Sequence, residues 1–435
     1  MKRAIILLLF LAACTSVSFE EHTNAASKYV LSNGMTIILK ENNDTGMVAI
    51  DLLLKKSIAN DEEKPGLGFL TTRMLLSGTQ TRSREDIVNQ IENIGGTIDA
   101  KTFVEYSEIA ISVPSDKTSI ALDILSDVIK NPTFTQEEVD KAKTILIEEI
   151  KAKKDNPDIR TEDLFMATIY ANSPYQHPID GYAETIEQIT REDVITHYKN
   201  WFAPQNMYLA IVGNINEKKT INAIKKLFGE MQPTNYFEKT VYLPPRTEPT
   251  TNTSNMVLES FYIQQGYQTV PATHSDFVTV RLANSILGSG SGSRLFYNLR
   301  EKRGLAYTVY SITPSTRTNG FIRITMISRP DVINQSIDGI NEQVELIKAE
   351  MVSEDELTLV KQKLKGFFAL DHQKTSDQAN YLALYEMQGL GYQYDVNYPH
   401  LLDKVTPSDI FTVANKYFNN PATAIVGPFN QTAIE

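Results

Sequence analysis

The 435-residue sequence is poor in the residue types that form disulfides and metal sites. Its only cysteine is Cys14, so no disulfide bond can form within the chain. No two of its six histidines lie within five residues of each other; they are His22, His177, His197, His274, His372 and His400. This spacing excludes a local histidine-pair motif for a metal ion. After residue 13 no apolar run is long enough to cross a membrane.

An excess of basic residues is also missing. The formal net charge is -11, and it becomes -13 without residues 1–13, which contain Lys2 and Arg3. This charge argues against nucleic acid or anionic lipid as the primary ligand and is compatible with cationic peptides. Apolar residues make up 42% and charged residues 22% of the chain, as in soluble globular proteins. The length predicts more than one domain.

The N-terminus has the features of a secretory signal. Two basic residues precede a short apolar run, and the segment ends in Leu11-Ala12-Ala13-Cys14. This ending resembles the bacterial lipobox, in which cleavage precedes a cysteine that is then lipidated. We therefore expect residues 1–13 to be removed and the protein to be anchored through Cys14 on the periplasmic side of the cell envelope. The alternative is a plain signal peptide with an incidental cysteine.

The remaining sequence predicts two related α+β domains. The Asn33-Gly34 pair between two apolar runs predicts a β-hairpin, and helical apolar spacing recurs from Ile120 to Ile129. The proline-rich stretch 229–255 is the candidate linker, which divides the chain into a domain at 28–228 and a domain at 256–435. Each domain mixes strands and helices, so we expect a mainly antiparallel sheet packed with helices in both.

An internal repeat supports this division. The segment that begins at Thr190 matches the segment that begins at Thr406, so that Asp193 corresponds to Asp409 and Phe202 to Phe418. An earlier helix start repeats too, with Thr135, Glu138 and Lys143 matching Ser353, Glu356 and Lys361. A single repeat of roughly 216 residues indicates a duplicated domain rather than a solenoid.

The run PGLGFLTTRMLLSGT at residues 65–79 is the most specific segment of the sequence. It resembles the active-site helix of the pitrilysin-type (M16) zinc peptidases, whose pattern there is PGLAHFLEHMLFKGT. In that family the inverted motif HxxEH supplies two zinc-binding histidines and a glutamate as general base. The resemblance extends over nearly the whole chain after residue 27 and implies the two-domain fold of the family.

The zinc-binding and catalytic residue types of that motif are absent from this chain. The three positions are occupied by Phe69, Thr72 and Arg73, which cannot bind zinc or activate water. The resemblance places the third zinc ligand of the family at Glu148 or Glu149, and one carboxylate alone makes no zinc site. We therefore expect the chain to bind no metal. The two glutamates are interpreted as a solvated pair on a helix, with a remaining role in the site as the alternative.

A second constellation lies in the C-terminal half. Arg300 and Tyr307, in the string LREKRGLAY, match an arginine and a tyrosine that reach toward the zinc site in the family. An arginine can bind a peptide carbonyl or carboxylate, and a tyrosine hydroxyl can donate to the oxyanion of amide hydrolysis. The alternative for the pair is a surface arginine and a core tyrosine.

Two further segments are ambiguous. The glycine/serine run at residues 288–293 lacks the ending of a phosphate-binding loop, so nucleotide binding is rejected. It is interpreted as a flexible turn or as the loop that lies near the substrate in the family. Residues 98–102 align with the strand on which the family binds peptides by strand addition, and a plain sheet edge is the alternative.

The resemblance thus implies a non-catalytic subunit of a heteromeric zinc endopeptidase. The expected partner is a homologue that carries HxxEH and zinc, as in two-chain bacterial M16 peptidases and mitochondrial processing peptidase. This chain would contribute Arg300, Tyr307 and part of the surface that encloses peptide substrates. One alternative is an inactive peptide-binding or scaffold protein. The other, disfavoured by the missing motif, is an independent zinc peptidase.

Overall fold

The computed structural model describes residues 26–61, 64–238 and 240–429. Cys14 and the predicted signal segment lie outside these residues. Within them the chain forms two sheets, each covered by helices, and the two halves share one plan. In the part that the structure describes, no helix is both long and apolar enough to cross a membrane.

The described residues of the N-terminal half form six strands and eight α-helices. The strands are β1 (Ser27–Val30), β2 (Thr36–Glu41), β3 (Met47–Lys55), β4 (Thr97–Thr102), β5 (Tyr106–Pro114) and β6 (Met207–Gly213). The helices are α1 (Leu67–Met74), α2 (Arg84–Glu92), α3 (Thr118–Lys130), α4 (Gln136–Lys153), α5 (Pro157–Ile169), α6 (Ala183–Gln188), α7 (Arg191–Trp201) and α8 (Glu217–Phe228).

The C-terminal half repeats this order with fewer elements. Its strands are β7 (Thr250–Asn255), β8 (Phe261–Thr269), β9 (Ala306–Ile312), β10 (Gly320–Ser328) and β11 (Ala422–Gly427). Its helices are α9 (Phe277–Gly288), α10 (Ile333–Ala349), α11 (Glu354–Asp371), α12 (Thr375–Gln388), α13 (Tyr394–Lys404) and α14 (Pro407–Tyr417). A π-helical segment, Phe296–Lys302, lies between α9 and β9.

The predicted antiparallel α+β fold is confirmed, with one parallel pair in each sheet. The sheets have the orders β1-β2-β6-β3-β5-β4 and β7-β11-β8-β10-β9, so β4 and β9 occupy equivalent edges. The parallel pairs are β2 with β6 and β7 with β11. The Asn33-Gly34 turn joins β1 and β2 as an antiparallel hairpin.

The predicted linker, residues 229–255, was too long. Its last six residues, TTNTSN, form β7 and pair with β11. A strand at the edge of a sheet can be polar, because its side chains are largely exposed to solvent. The other described residues of the segment form no helix or strand, but they are bound to the C-terminal half. The Leu243 N–H donates to Asn319 Oδ1 at 2.9 Å, for example.

Local contacts of the two halves show the duplication directly. Thr190 and Thr406 each form a capping box with the aspartate three residues later. Lys143 donates to the Ile189 carbonyl at 2.5 Å, and Lys361 donates to the Val405 carbonyl at 2.6 Å. Each lysine therefore ties the long helix of its half to the residue just before the capped helix.

The two halves exchange helices. α12 of the C-terminal half packs on one face of the first sheet, where Leu382 and Ala383 meet Ala49 and Leu53. α5 of the N-terminal half packs on the second sheet, where Phe165 stacks edge-on against Phe321. Because α1 to α4 cover the opposite face of the first sheet, the edge strand β4 has a separate environment on each face.

Candidate functional site

Helix α1, which carries the degenerate motif, is positioned by a buried ion pair. The Asp61 carboxylate accepts hydrogen bonds from the buried Lys56 ammonium and from the backbone N–H groups of Gly66 and Gly68, at 3.3 and 3.2 Å for the two amides. Gly66 has φ +95°, and a Cβ there would meet the Asp180 carbonyl oxygen at 2.6 Å. The carboxylate thus satisfies two of the unpaired amides at the start of α1.

The three motif positions have no zinc-binding arrangement. Phe69 is partly buried against the core and forms a wall shared by two cavities of 440 and 720 Å³. Thr72 is 1% exposed, and its hydroxyl is 2.8 Å from that of Ser107 on β5. Among the described residues, no group of three His, Cys, Asp or Glu side chains is placed to hold a metal ion.

Arg73 occupies the remaining motif position and binds Glu149 on α4. Its Nη1 and Nη2 donate to the two carboxylate oxygens of Glu149 at 2.5 and 2.9 Å. These hydrogen bonds lower the pKa of Glu149 and raise that of Arg73. A guanidinium therefore holds the carboxylate that faces the motif helix.

The two candidate glutamates are thereby distinguished. Glu148 points to solvent and pairs with Lys151 at 2.9 Å, as predicted for a solvated helix position. Glu149 does not fit that interpretation, since it is engaged with Arg73 across two helices. Arg73 and Glu149 are both partly exposed, so the sequence alone does not require the pair.

The larger cavity beside Phe69 has a lining of mixed charge, with Lys153, Lys154 and Arg160 beside Glu162, Asp163 and Asp180. Asp163 lines it, and burial first, then the charges of Asp180 and Glu162, raises the pKa of Asp163 to about 6. Asp180 is paired with Lys153, and Glu162 with Arg323 at 2.8 Å. Because cations offset the carboxylates, the charge of this cavity favours neither sign of ligand.

Arg300 and Tyr307 lie at the edge of the second sheet. Arg300 is exposed on the π-helical segment, where its guanidinium lies 5.0 Å from the centre of the Phe296 ring. No carboxylate among the described residues pairs with it. Tyr307 on β9 is 79% exposed, which excludes the alternative of a core tyrosine.

A β-bulge explains the exposure of Tyr307. Thr308 pairs with Ile327 and Ala306 with Ser328, so Tyr307 is the extra residue on β9. A bulge turns one side chain away from the regular alternation and is common beside active sites. The sequence motif indicated the residue, but not the bulge that presents it.

The structure does not bring these two residues to the degenerate motif. Neither Arg300 nor Tyr307 lines the 440 Å³ or the 720 Å³ cavity that borders Phe69. The predicted edge strand at residues 98–102 is β4, and Ala100 and Thr102 line the 440 Å³ cavity beside Phe69 and Arg73. The predicted edge strand thus faces a cavity in which the described residues form no metal-binding group.

Comparison with known proteins identifies the family. The profile described as Insulinase (Peptidase family M16) matches residues 36–181, and the profile Peptidase M16 inactive domain matches residues 188–364. This chain belongs to the M16 peptidase family. The second profile begins at residue 188, before the predicted linker, and therefore includes the last part of the N-terminal half.

Related proteins cover the described fold almost completely. An uncharacterized zinc protease of Rickettsia felis is 27% identical over 409 residues, which is 92% of this chain and 96% of the relative. One of Bacillus subtilis is 27% identical over 81% of this chain and 85% of the relative. A protease from Helicobacter pylori has a solved structure with TM-score 0.88 and 21% identity, covering 93% of this chain and all of that one. An M16 inactive domain from Pseudomonas fluorescens aligns with TM-score 0.87 and 21% identity, covering 93% of this chain and 98% of that one.

Proposed function

We propose that this M16 chain is the non-catalytic subunit of a heteromeric zinc endopeptidase. The partner is a homologue that carries HxxEH and holds the zinc ion. This chain contributes peptide-binding surface and two donors, Arg300 and Tyr307, for the transition state at the partner's metal.

One observation carries the proposal. The chain presents a tyrosine hydroxyl on a bulge and an arginine without a carboxylate partner among the described residues, while its own metal position is closed by Arg73 and Glu149. Donors of this kind stabilise the oxyanion that forms when water attacks an amide. They have no metal to serve within the described part of the chain, so a metal on another chain accounts for their exposure.

The two cavities that flank Phe69 are also compatible with the alternative, a peptide-binding scaffold. Those cavities are equally expected in a non-catalytic subunit, because it too must enclose peptide. The exposed Arg300 and Tyr307 favour the subunit, since a scaffold needs no transition-state donors.

The test is reconstitution from two purified chains. We expect this chain to form a stable complex with an HxxEH homologue from the same organism and the mixture to hydrolyse a quenched fluorescent peptide. This chain alone should show no hydrolysis. The control replaces the HxxEH glutamate of the partner by glutamine, which should abolish activity without dissociating the complex. If the complex forms but hydrolyses the peptide no faster than the partner alone, the subunit proposal is contradicted and the scaffold alternative is favoured.

We also propose that the mature protein is anchored to the membrane through lipidated Cys14 on the periplasmic side of the cell envelope. The basis is the basic start, the short apolar run and the LAAC ending. Cys14→Ala should abolish lipidation and membrane association. An unmodified N-terminus downstream of Cys14, found by mass spectrometry, would contradict the anchor.

A further inference from the structure

An acidic cavity lies on the face of the first sheet that α12 covers. It has a volume of 550 Å³ and lies between β3, β4 and β5 on one side and α12 on the other. Asp51 and Glu108, on the neighbouring strands β3 and β5, form its floor. Asp371 and Asp377 belong to its rim.

Acidic side chains outnumber basic ones in this cavity. Among the described residues, Lys101 is the one basic residue that lines it, and Lys101 already pairs with Asp99 at 3.0 Å. Glu108 accepts a hydrogen bond from Asn380 at 2.9 Å. Asp51 is 3% exposed, and its Oδ1 is buried without a hydrogen-bond partner. Burial first, and then the neighbouring Glu108, raises the pKa of Asp51 well above its usual range. A bound cation would offset this cost by stabilising the ionised carboxylate and satisfying its buried oxygen.

Aromatic rings supply the other walls. Phe103 and Tyr106 stack with their ring centres 4.5 Å apart, and Tyr381 projects from α12. Carboxylates beside ring faces form a site that suits a guanidinium or ammonium group. A metal ion fits less well, because no metal-binding group of three His, Cys, Asp or Glu occurs among the described residues.

The position of the cavity relative to β4 indicates where such a cation would come from. Among the described strands β4 pairs with β5 alone, so its other edge is available to an added strand. Successive side chains of an added strand point to opposite faces of the sheet. Side chains on one face of the first sheet would reach the 440 Å³ cavity beside Phe69, and those on the other face would reach the acidic cavity. Lys101 and Phe103 line both cavities, so the two cavities meet at β4.

We propose that the acidic cavity binds a basic side chain, arginine or lysine, of a peptide that pairs with the edge of β4. The proposal rests on the peptide-binding part of the proposed function and adds a selectivity to it. A peptide is then contacted on both faces, and its preference for a positive charge comes from Asp51 and Glu108 rather than from the motif helix.

The test compares two short peptides that differ only in one residue, arginine or its uncharged isostere citrulline. Binding to the full mature chain is measured by fluorescence anisotropy, with the residue moved along the peptide in turn. At one position we expect the arginine peptide to bind about tenfold more tightly, as for a partly desolvated cation with carboxylate and aromatic contacts. Equal affinities at every position would overturn the proposal.

Matched variants locate the effect. The Asp51→Asn/Glu108→Gln variant keeps the side-chain shapes and should lose the arginine preference. Asp338→Asn, at an exposed position of α10, should keep it. Asp377→Asn, at the rim, should reduce the preference even if the buried pair is needed for folding. An arginine preference that survives in both cavity variants would place the site elsewhere. Failure of both peptides to bind would instead overturn the proposed peptide-binding function itself.

Discussion

Replacing Tyr307 by phenylalanine in the reconstituted complex is expected to lower peptide turnover about a hundred- to thousandfold. The loss of one oxyanion donor typically costs about 2.7–4 kcal/mol of transition-state stabilisation. The change removes one hydroxyl group from a side chain that is 79% exposed in this chain, so little packing is lost. Complex formation and the affinity for peptide should therefore be unchanged.

Tyr310→Phe is the matched control for this variant. Tyr310 lies three residues further along β9 and is 41% exposed, but it pairs regularly with Thr325 and is outside the bulge. Turnover is measured by steady-state hydrolysis and complex formation by size-exclusion chromatography. Equal turnover in the Tyr307→Phe variant and the unmodified complex would remove Tyr307 from the mechanism. Arg300→Ala should raise KM as well, because a guanidinium also binds the peptide backbone.

The second large effect concerns stability. Asp61→Ala should destabilise the chain by about 3–5 kcal/mol, the cost of leaving one member of a buried ion pair without its partner. Lys56 is 1% exposed, so its ammonium would remain buried without a counter-charge. Two amides at the start of α1 would also lose their acceptor. Urea denaturation, followed by circular dichroism, measures the change.

Two controls separate the ion pair from general effects of mutation. Asp116→Ala removes an aspartate from an exposed pair with Lys117 and should leave the midpoint unchanged. Adding Lys56→Met to Asp61→Ala should recover part of the lost stability, because the unpaired charge is then removed. If Asp61→Ala alone unfolds at the same urea concentration as the unmodified chain, the ion pair does not hold α1.

The regular parts of this fold could be predicted because they depend on local sequence. Thr190 and Thr406 each precede a helix with an aspartate at the third position, and both form capping boxes. The Asn33-Gly34 turn likewise fixes its hairpin without distant contacts. The duplication followed from the helix starts, since they recur roughly 216 residues apart.

The parts that were missed depend on distant contacts. The polar segment 250–255 is a strand only because β11 offers it a paired edge. The exchange of α5 and α12 between the halves joins residues more than 150 positions apart, as at Phe165 and Phe321. At the site, the motif identified Arg73 and Tyr307, but the Glu149 partner of Arg73 and the bulge at Tyr307 required the structure.

The zinc content of the purified chain tests the central claim most directly. The unmodified chain is dialysed against excess zinc and then against buffer. Atomic absorption should then find no stoichiometric zinc in it. A Phe69→His/Thr72→Glu/Arg73→His variant serves as the positive control, because it restores HxxEH opposite Glu149 and should retain about one zinc ion per chain. One tightly bound zinc ion in the unmodified chain, with peptide hydrolysis by that chain alone, would contradict a non-catalytic subunit.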